Sequence, residues 1–186
     1  MKRITLITLI IVSLLLVGVI ASCGGGGGGT SDNGSSMQAL PDTGQTGDFT
    51  ATFGEDSDYT INPPSYTANG DSTVTDNVTG LMWQQEDDNT PRTWDEALLY
   101  CDGLALASYS DWRLPAKKEL ISIVDYGTNT PAIDDAIYFP GTDAARYWSS
   151  TTYAADASYV WSVYFDRGVI GIVLKTYDGY YVRCVR

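Results

Sequence analysis

The chain of 186 residues contains no histidine, 11 Lys and Arg against 23 Asp and Glu, and three cysteines. Without imidazole it lacks the commonest general base and the commonest metal ligand, which excludes Ser-His-Asp hydrolysis, Cys-His chemistry and His-bound zinc. A formal charge of −12 argues against DNA or RNA as partners, because neutralising phosphates requires Lys and Arg that are missing here. Polyanionic glycans are disfavoured for the same reason. The length suits one domain of ordinary size with additional segments.

The additional segments lie at the start. Lys2 and Arg3 precede an uncharged, mostly apolar run from Ile4 to Ile20, near the lower length limit for a membrane span. The run ends in Ile20-Ala21-Ser22-Cys23, which resembles the bacterial lipobox. That resemblance implies that residues 1–22 are a lipoprotein signal peptide and that Cys23 carries the acyl chains, including palmitate. Several chains on one residue anchor stably where a single chain binds only marginally. Gly24 follows in place of the Asp of inner-membrane retention, so the expected location is the bacterial outer membrane, lipid-anchored. Residues 23–38 read as the lipidated Cys and a Gly/Ser-rich tether, with a span of about 20 Å by the Gly-rich chain rule. Residues 39–186 remain as the folded domain. Losing Lys2 and Arg3 with the signal moves the charge from −12 to −14.

Charge is unevenly distributed. From Cys23 through Pro91 there are 11 acids and no Lys or Arg, whereas residues 92–186 carry 12 acids and 9 bases. A single-sign segment repels itself unless solvent or cations screen it. Calcium, which favours many hard oxygen ligands, is therefore a possible cofactor. The ligands would come from Asp56, Asp58, Glu86, Asp87 and Asp88, with Glu55, Asp71 and Asp76 as further candidates. No stretch matches the twelve-residue EF-hand loop, and the alternative is a solvated acidic surface. Once Cys23 is acylated, Cys101 and Cys184 remain, and an even remainder in an exported chain reads as a disulfide.

Local patterns predict an α+β domain. Thr93 and Glu96 have the spacing of a capping box, and Trp94, Ala97, Leu98, Cys101 and Leu104 follow a helical rhythm with one buried face. Pro115 suits the start of a second helix carrying Leu120, Ile123 and Val124 and ending near Gly127. The stretch from Val74 to Trp83 reads as strand, turn, strand. Three further strands are expected at residues 160–165, 169–174 and 180–185, separated by turns at Asp166-Arg167-Gly168 and Asp178-Gly179. Residues 126–146 read as a long loop, and loops of that length are often functional. Asp111, Trp112 and Arg113 suggest a short salt bridge fixing the turn into the second helix.

Several of these segments are recognisable together: Leu40-Pro41-Asp42-Thr43-Gly44-Gln45-Thr46, Val74 through Gln84, Thr93-Trp94 with Ala97 and Cys101, Ser110-Asp111-Trp112-Arg113-Leu114-Pro115 with Glu119-Leu120, Tyr147-Trp148-Ser149-Ser150-Thr151, and Val182-Arg183-Cys184-Val185-Arg186. In this order they resemble the bacterial domain family named for the C-terminal domain of the Legionella collagen-like adhesin, across residues 39–186. The spacing of Trp94, Ala97 and Cys101, with a partner cysteine near the C-terminus, also resembles the C-type lectin-like fold. That fold implies two helices packed on a small twisted antiparallel sheet with long loops, and a helix-to-last-strand disulfide, here Cys101 to Cys184. Neither the Glu-Pro-Asn or Gln-Pro-Asp loop nor the Trp-Asn-Asp strand of the sugar-binding C-type lectins occurs, so calcium-dependent sugar binding does not carry over.

The expected function is a lipid-anchored cell-envelope binding module, adhesin-like, recognising a glycan or protein partner without catalysis and without a required cofactor. Aromatic side chains give large contact area at low entropic cost, which makes Tyr138, Tyr147, Tyr153, Tyr159, Tyr177 and Tyr180 the candidate ligand-binding residues. The alternative is a structural or assembly subunit of an envelope complex. A third possibility, an enzyme resembling the formylglycine-generating enzymes, needs a thiol that a Cys101–Cys184 bridge would consume.

Overall fold

A computed structural model describes residues 39–134 and 136–186. Cys23, the signal peptide and most of the tether lie outside the described residues.

The first three strands, β1 (Tyr66–Ala68), β2 (Thr73–Asp76) and β3 (Met82–Gln84), form an antiparallel sheet in that order. The β2–β3 turn is closed by Asp76. Its carboxylate accepts the backbone N–H of Val78 at 2.9 Å and the hydroxyl of Thr79 at 2.6 Å. An aspartate that bonds the backbone two residues on substitutes for a turn's own hydrogen bonds. Gly80 completes the turn at φ +76°, a conformation that costs glycine little.

Helix α1 (Trp94–Asp102) begins with the expected capping box. The N–H of Thr93 donates to Glu96 Oε2 at 2.9 Å, and the N–H of Glu96 donates to Thr93 Oγ1 at 3.4 Å. Helix α2 (Lys117–Ile121) is shorter than its apolar pattern suggests and ends before Ile123. Glu119 closes its first turn by accepting the N–H of Ala116 at 2.7 Å, and both its oxygens also accept from Arg113 at 2.7 Å. The expected pairing of Asp111 with Arg113 is thereby corrected. Arg113 is bound to Glu119, and Asp111 accepts instead from the C-terminal Arg186 at 2.8 Å. Sequence proximity was a poor guide here, because Trp112 between them is buried and its neighbours turn to opposite partners.

The second sheet holds β4 (Arg146–Thr152), β5 (Tyr159–Tyr164) and β6 (Val169–Leu174), antiparallel in that order. As the middle strand, β5 is covered on both faces, with Val160 and Val163 fully buried in different core clusters. The architecture is therefore α+β, as expected, but with two three-stranded sheets rather than one.

The expected strand at residues 180–185 does not form. Val182, Arg183, Cys184 and Val185 are all buried, which the alternation of a one-sided strand forbids. The segment instead crosses both sheets and touches each partner for one residue: Tyr180 with Arg92, Tyr181 with Tyr147, and Val185 with both Trp83 and Arg113. Cys184 is bonded to Cys101 of α1, so the disulfide that cysteine parity suggested is present.

The long loop at residues 126–146 is irregular, as expected, yet pinned. Ala132, Ile133 and Phe139 are buried in the core, and the N–H of Asp125 donates to Ala132 O at 3.0 Å. The described residues include no helix long and apolar enough to cross a membrane.

Candidate functional site

The acids expected to hold calcium are separated by the fold. Asp56 and Asp58 lie exposed on a 3-10 turn, where Asp58 accepts the N–H of Glu55 at 3.1 Å and Asp56 accepts the hydroxyl of Thr43. Of the adjacent triplet, Glu86 is exposed, Asp87 turns inward onto buried Arg183, and Asp88 pairs with Arg92 at 2.8 Å. Asp88 is held below the ordinary carboxylate range by that hydrogen bond. Among the described residues, no group of three or more acidic or cysteine side chains is gathered as a metal site.

The candidate tyrosines divide similarly. Tyr147 is fully buried, its ring edge-on to Phe165 at 5.1 Å and its hydroxyl donating to Asp87 at 2.6 Å, so it is corrected to a core residue. Burial pushes its phenol above the ordinary range. Tyr153 stands edge-on to Trp161 at 5.6 Å, and its N–H donates to Tyr159 O, which places both at the β4–β5 end. Tyr177 and Tyr180 stack at 4.4 Å, with Tyr180 also against Trp148.

Tyr138 borders a well-formed cleft. The cleft has a volume of about 240 Å³ and is lined by Pro64, Ser65, Tyr66, Val124, Asp125, Asp134 and Tyr138. It is assembled from three distant stretches. Tyr66 opens β1, Val124 and Asp125 follow α2, and Asp134 and Tyr138 belong to the pinned loop. The two rings lie 5.4 Å apart and inclined at 49°, and Tyr66 is braced edge-on by Phe139 at 5.2 Å. Below Asp125, the N–H of Gly127 donates to its Oδ1 at 2.7 Å, and the N–H of Tyr126 donates to Thr43 O at 2.8 Å. Thus the Leu40–Thr46 segment supports one wall of the cleft. Gly44, at φ +79°, passes so close to Asp125 that an added Cβ would meet Oδ1 at 2.4 Å.

The electrostatics of the cleft are set by its two carboxyls. Burial raises the pKa of Asp125, and the charge of Asp134 adds to the rise, whereas the Gly127 N–H opposes it. Tyr66 is raised by burial, then by the charges of Asp76, Asp125 and Asp134. A carboxyl with a raised native pKa binds protons more readily folded than unfolded, so its ionisation costs stability as pH rises through the raised pKa. Asp125→Asn is therefore expected to raise the melting temperature at pH 7, with the gain vanishing at pH 3, where the wild-type carboxyl is already neutral. Thermal melts of both proteins across that range check it, and a loss at neutral pH would contradict it.

Sequence reading found Tyr138 as one of six aromatic contact candidates but missed Tyr66, Asp125 and Asp134. Asp134 lay within the flagged loop at residues 126–146. Tyr66 and Asp125 gave no local signal, because their meeting depends on how β1 packs against the loop.

The fold and cleft define an α+β domain whose helix-to-C-terminus disulfide closes it and whose side walls form a tyrosine- and carboxylate-lined recess. The chain belongs to the Lcl C-terminal domain family, whose model matches residues 72–186. Such a domain is adhesin-like in type. No curated protein matches the chain. The family match begins just before β2, so the Leu40–Thr46 buttress and β1 lie ahead of it.

Proposed function

We propose that this chain is a lipid-anchored cell-envelope binding module that recognises a glycan or protein partner without catalysis. Its ligand sits in the cleft between Tyr66 and Tyr138. The observation that carries this reading is the cleft itself: a concave site with few convergent polar groups, built on braced elements. Asp125 supports it, since a carboxyl that lines a cleft and whose pKa burial raises is a candidate for a functional site. The thiols of Cys101 and Cys184 are consumed in the disulfide, which leaves formylglycine-type chemistry without its cysteines. In this reading Cys23 is acylated at the outer membrane, residues 23–38 tether the domain from the lipid, and residues 39–186 adopt a C-type lectin-like fold. No calcium is required.

The second reading, an assembly subunit, is favoured by β6. This edge strand exposes Val169, Ile170, Ile172 and Leu174, and apolar sheet edges are ready templates for another chain. Glycan-array and pull-down measurements on the purified protein, with and without calcium, separate the two. Saturable capture that Tyr138→Ala abolishes and Ile172→Lys leaves intact is the expected result. Capture lost with Ile172→Lys and indifferent to Tyr138→Ala would establish the subunit instead.

A further inference from the structure

We infer that the cleft takes the free ammonium group of a hexosamine, held between the carboxylates of Asp125 and Asp134 beside the rings of Tyr66 and Tyr138. The inference rests on the reading of the cleft as the binding site and specifies its ligand.

Four features of the cleft point to this chemistry. First, its lining holds two acids and no Lys or Arg. Asp125 accepts a hydrogen bond only from the N–H of Gly127, and the carboxylate of Asp134 accepts none among the described residues. The two charges are close enough to act on each other and on the Tyr66 phenol. A cation placed between them would relieve that repulsion and supply the missing donors. Second, Tyr66 and Tyr138 present inclined rings at the same opening, and aromatic faces attract a desolvated ammonium. Third, about 240 Å³ exceeds what a lysine's terminal methylenes and ammonium would fill and is large enough to admit one sugar ring. Fourth, Ser65 and the two phenols offer hydroxyls to a polyhydroxylated body, while Val124 and Pro64 provide only a small apolar floor. The net charge, −12 for the whole chain and −14 without residues 1–22, draws a cationic ligand toward the protein and repels sulfated ones.

The closing experiment is titration calorimetry of the purified protein with a glucosamine trimer and with its fully N-acetylated counterpart, at a pH where the free amines are charged. Acetylation removes the charge while keeping the sugar ring. The free-amine trimer is expected to bind at least about tenfold more tightly, the scale of one charge-assisted hydrogen bond. Asp134→Asn should abolish that preference while leaving the melting temperature near the wild-type value. Tyr138→Ala should weaken both trimers. Equal affinity for the two trimers, with Tyr138→Ala still disruptive, would overturn the ammonium inference and leave the cleft standing as a glycan site. Binding of trilysine in place of either trimer, lost in Asp134→Asn, would overturn the hexosamine. Capture of partners unaffected by Tyr138→Ala would overturn the cleft reading itself.

Discussion

Arg183→Met is expected to destabilise the domain by about 3–5 kcal/mol, the cost of removing one partner from a buried ion pair. Arg183 is wholly buried, and its guanidinium is the hub of a polar network inside the core. Nη1 donates to the carbonyls of Gln84, at 2.9 Å, and Gln85. Nη2 donates to Thr142 Oγ1 at 2.7 Å and to Asp87 Oδ2 at 3.2 Å. The planar group also packs over Phe139 at 5.3 Å. Removing it would leave the Asp87 carboxylate, itself almost fully buried, with the hydroxyl of Tyr147 and the N–H of Asn89 as its remaining donors. Two backbone carbonyls would also lose their partner, and an unsatisfied buried acceptor costs roughly 1–3 kcal/mol. Urea denaturation of the variant checks this, and a loss below about 1 kcal/mol would show that the pair is dispensable. Adding Asp87→Leu should return part of the loss, because the stranded charge disappears while the stranded carbonyls remain.

Opening the Cys101–Cys184 bridge is the second large effect. The bond spans a sequence separation of 83, and closing a loop of that length restricts the unfolded chain by about 4.5 kcal/mol in the entropic model. For a domain of this size that corresponds to a fall in melting temperature of about 10–15 °C. The double variant Cys101→Ala/Cys184→Ala tests it, and wild-type protein melted under reducing conditions should behave alike. Both sulfurs lie in the core cluster with Ala97, Trp112 and Trp148. The truncation to alanine therefore adds a small packing loss to the entropic one. A shift of less than a few degrees would place the stability of the closure in packing alone.

The two effects share a cause. Arg183 and Cys184 are neighbours on the C-terminal segment. One joins it to the first sheet and the loop, the other to α1. A segment that forms no strand of its own is held by side-chain bonds to both halves of the core.

How far local sequence carried the structure depended on whether the decisive partner was near in the chain. The Thr93–Glu96 capping box, the β2–β3 turn and the hairpin joining β5 to β6 all rest on residues a few positions apart, and all formed as expected. β1 and β4 were missed because they lack a sustained alternating pattern. The disulfide was legible through parity once Cys23 was set apart as the expected acylation site, since the other two cysteines then leave one pairing.

Composition by itself established what this chain cannot do with imidazole and where its acidity lies. The order of residues along the chain carried the α+β class and the motifs that resemble the family, and the cysteine count, with Cys23 set apart, carried the pairing of the last two cysteines. The tertiary structure alone decided that Asp87 turns inward to Arg183 while its neighbours do not, that Tyr147 is core, and that Tyr66, Asp125, Asp134 and Tyr138 meet around one recess. Those four residues come from stretches whose separation along the chain exceeds any local periodicity. The burial of Phe139 and Ile133 beneath the loop, and of Val74 beside β1, together with the bond from the Asp125 N–H to Ala132 O, draws them together.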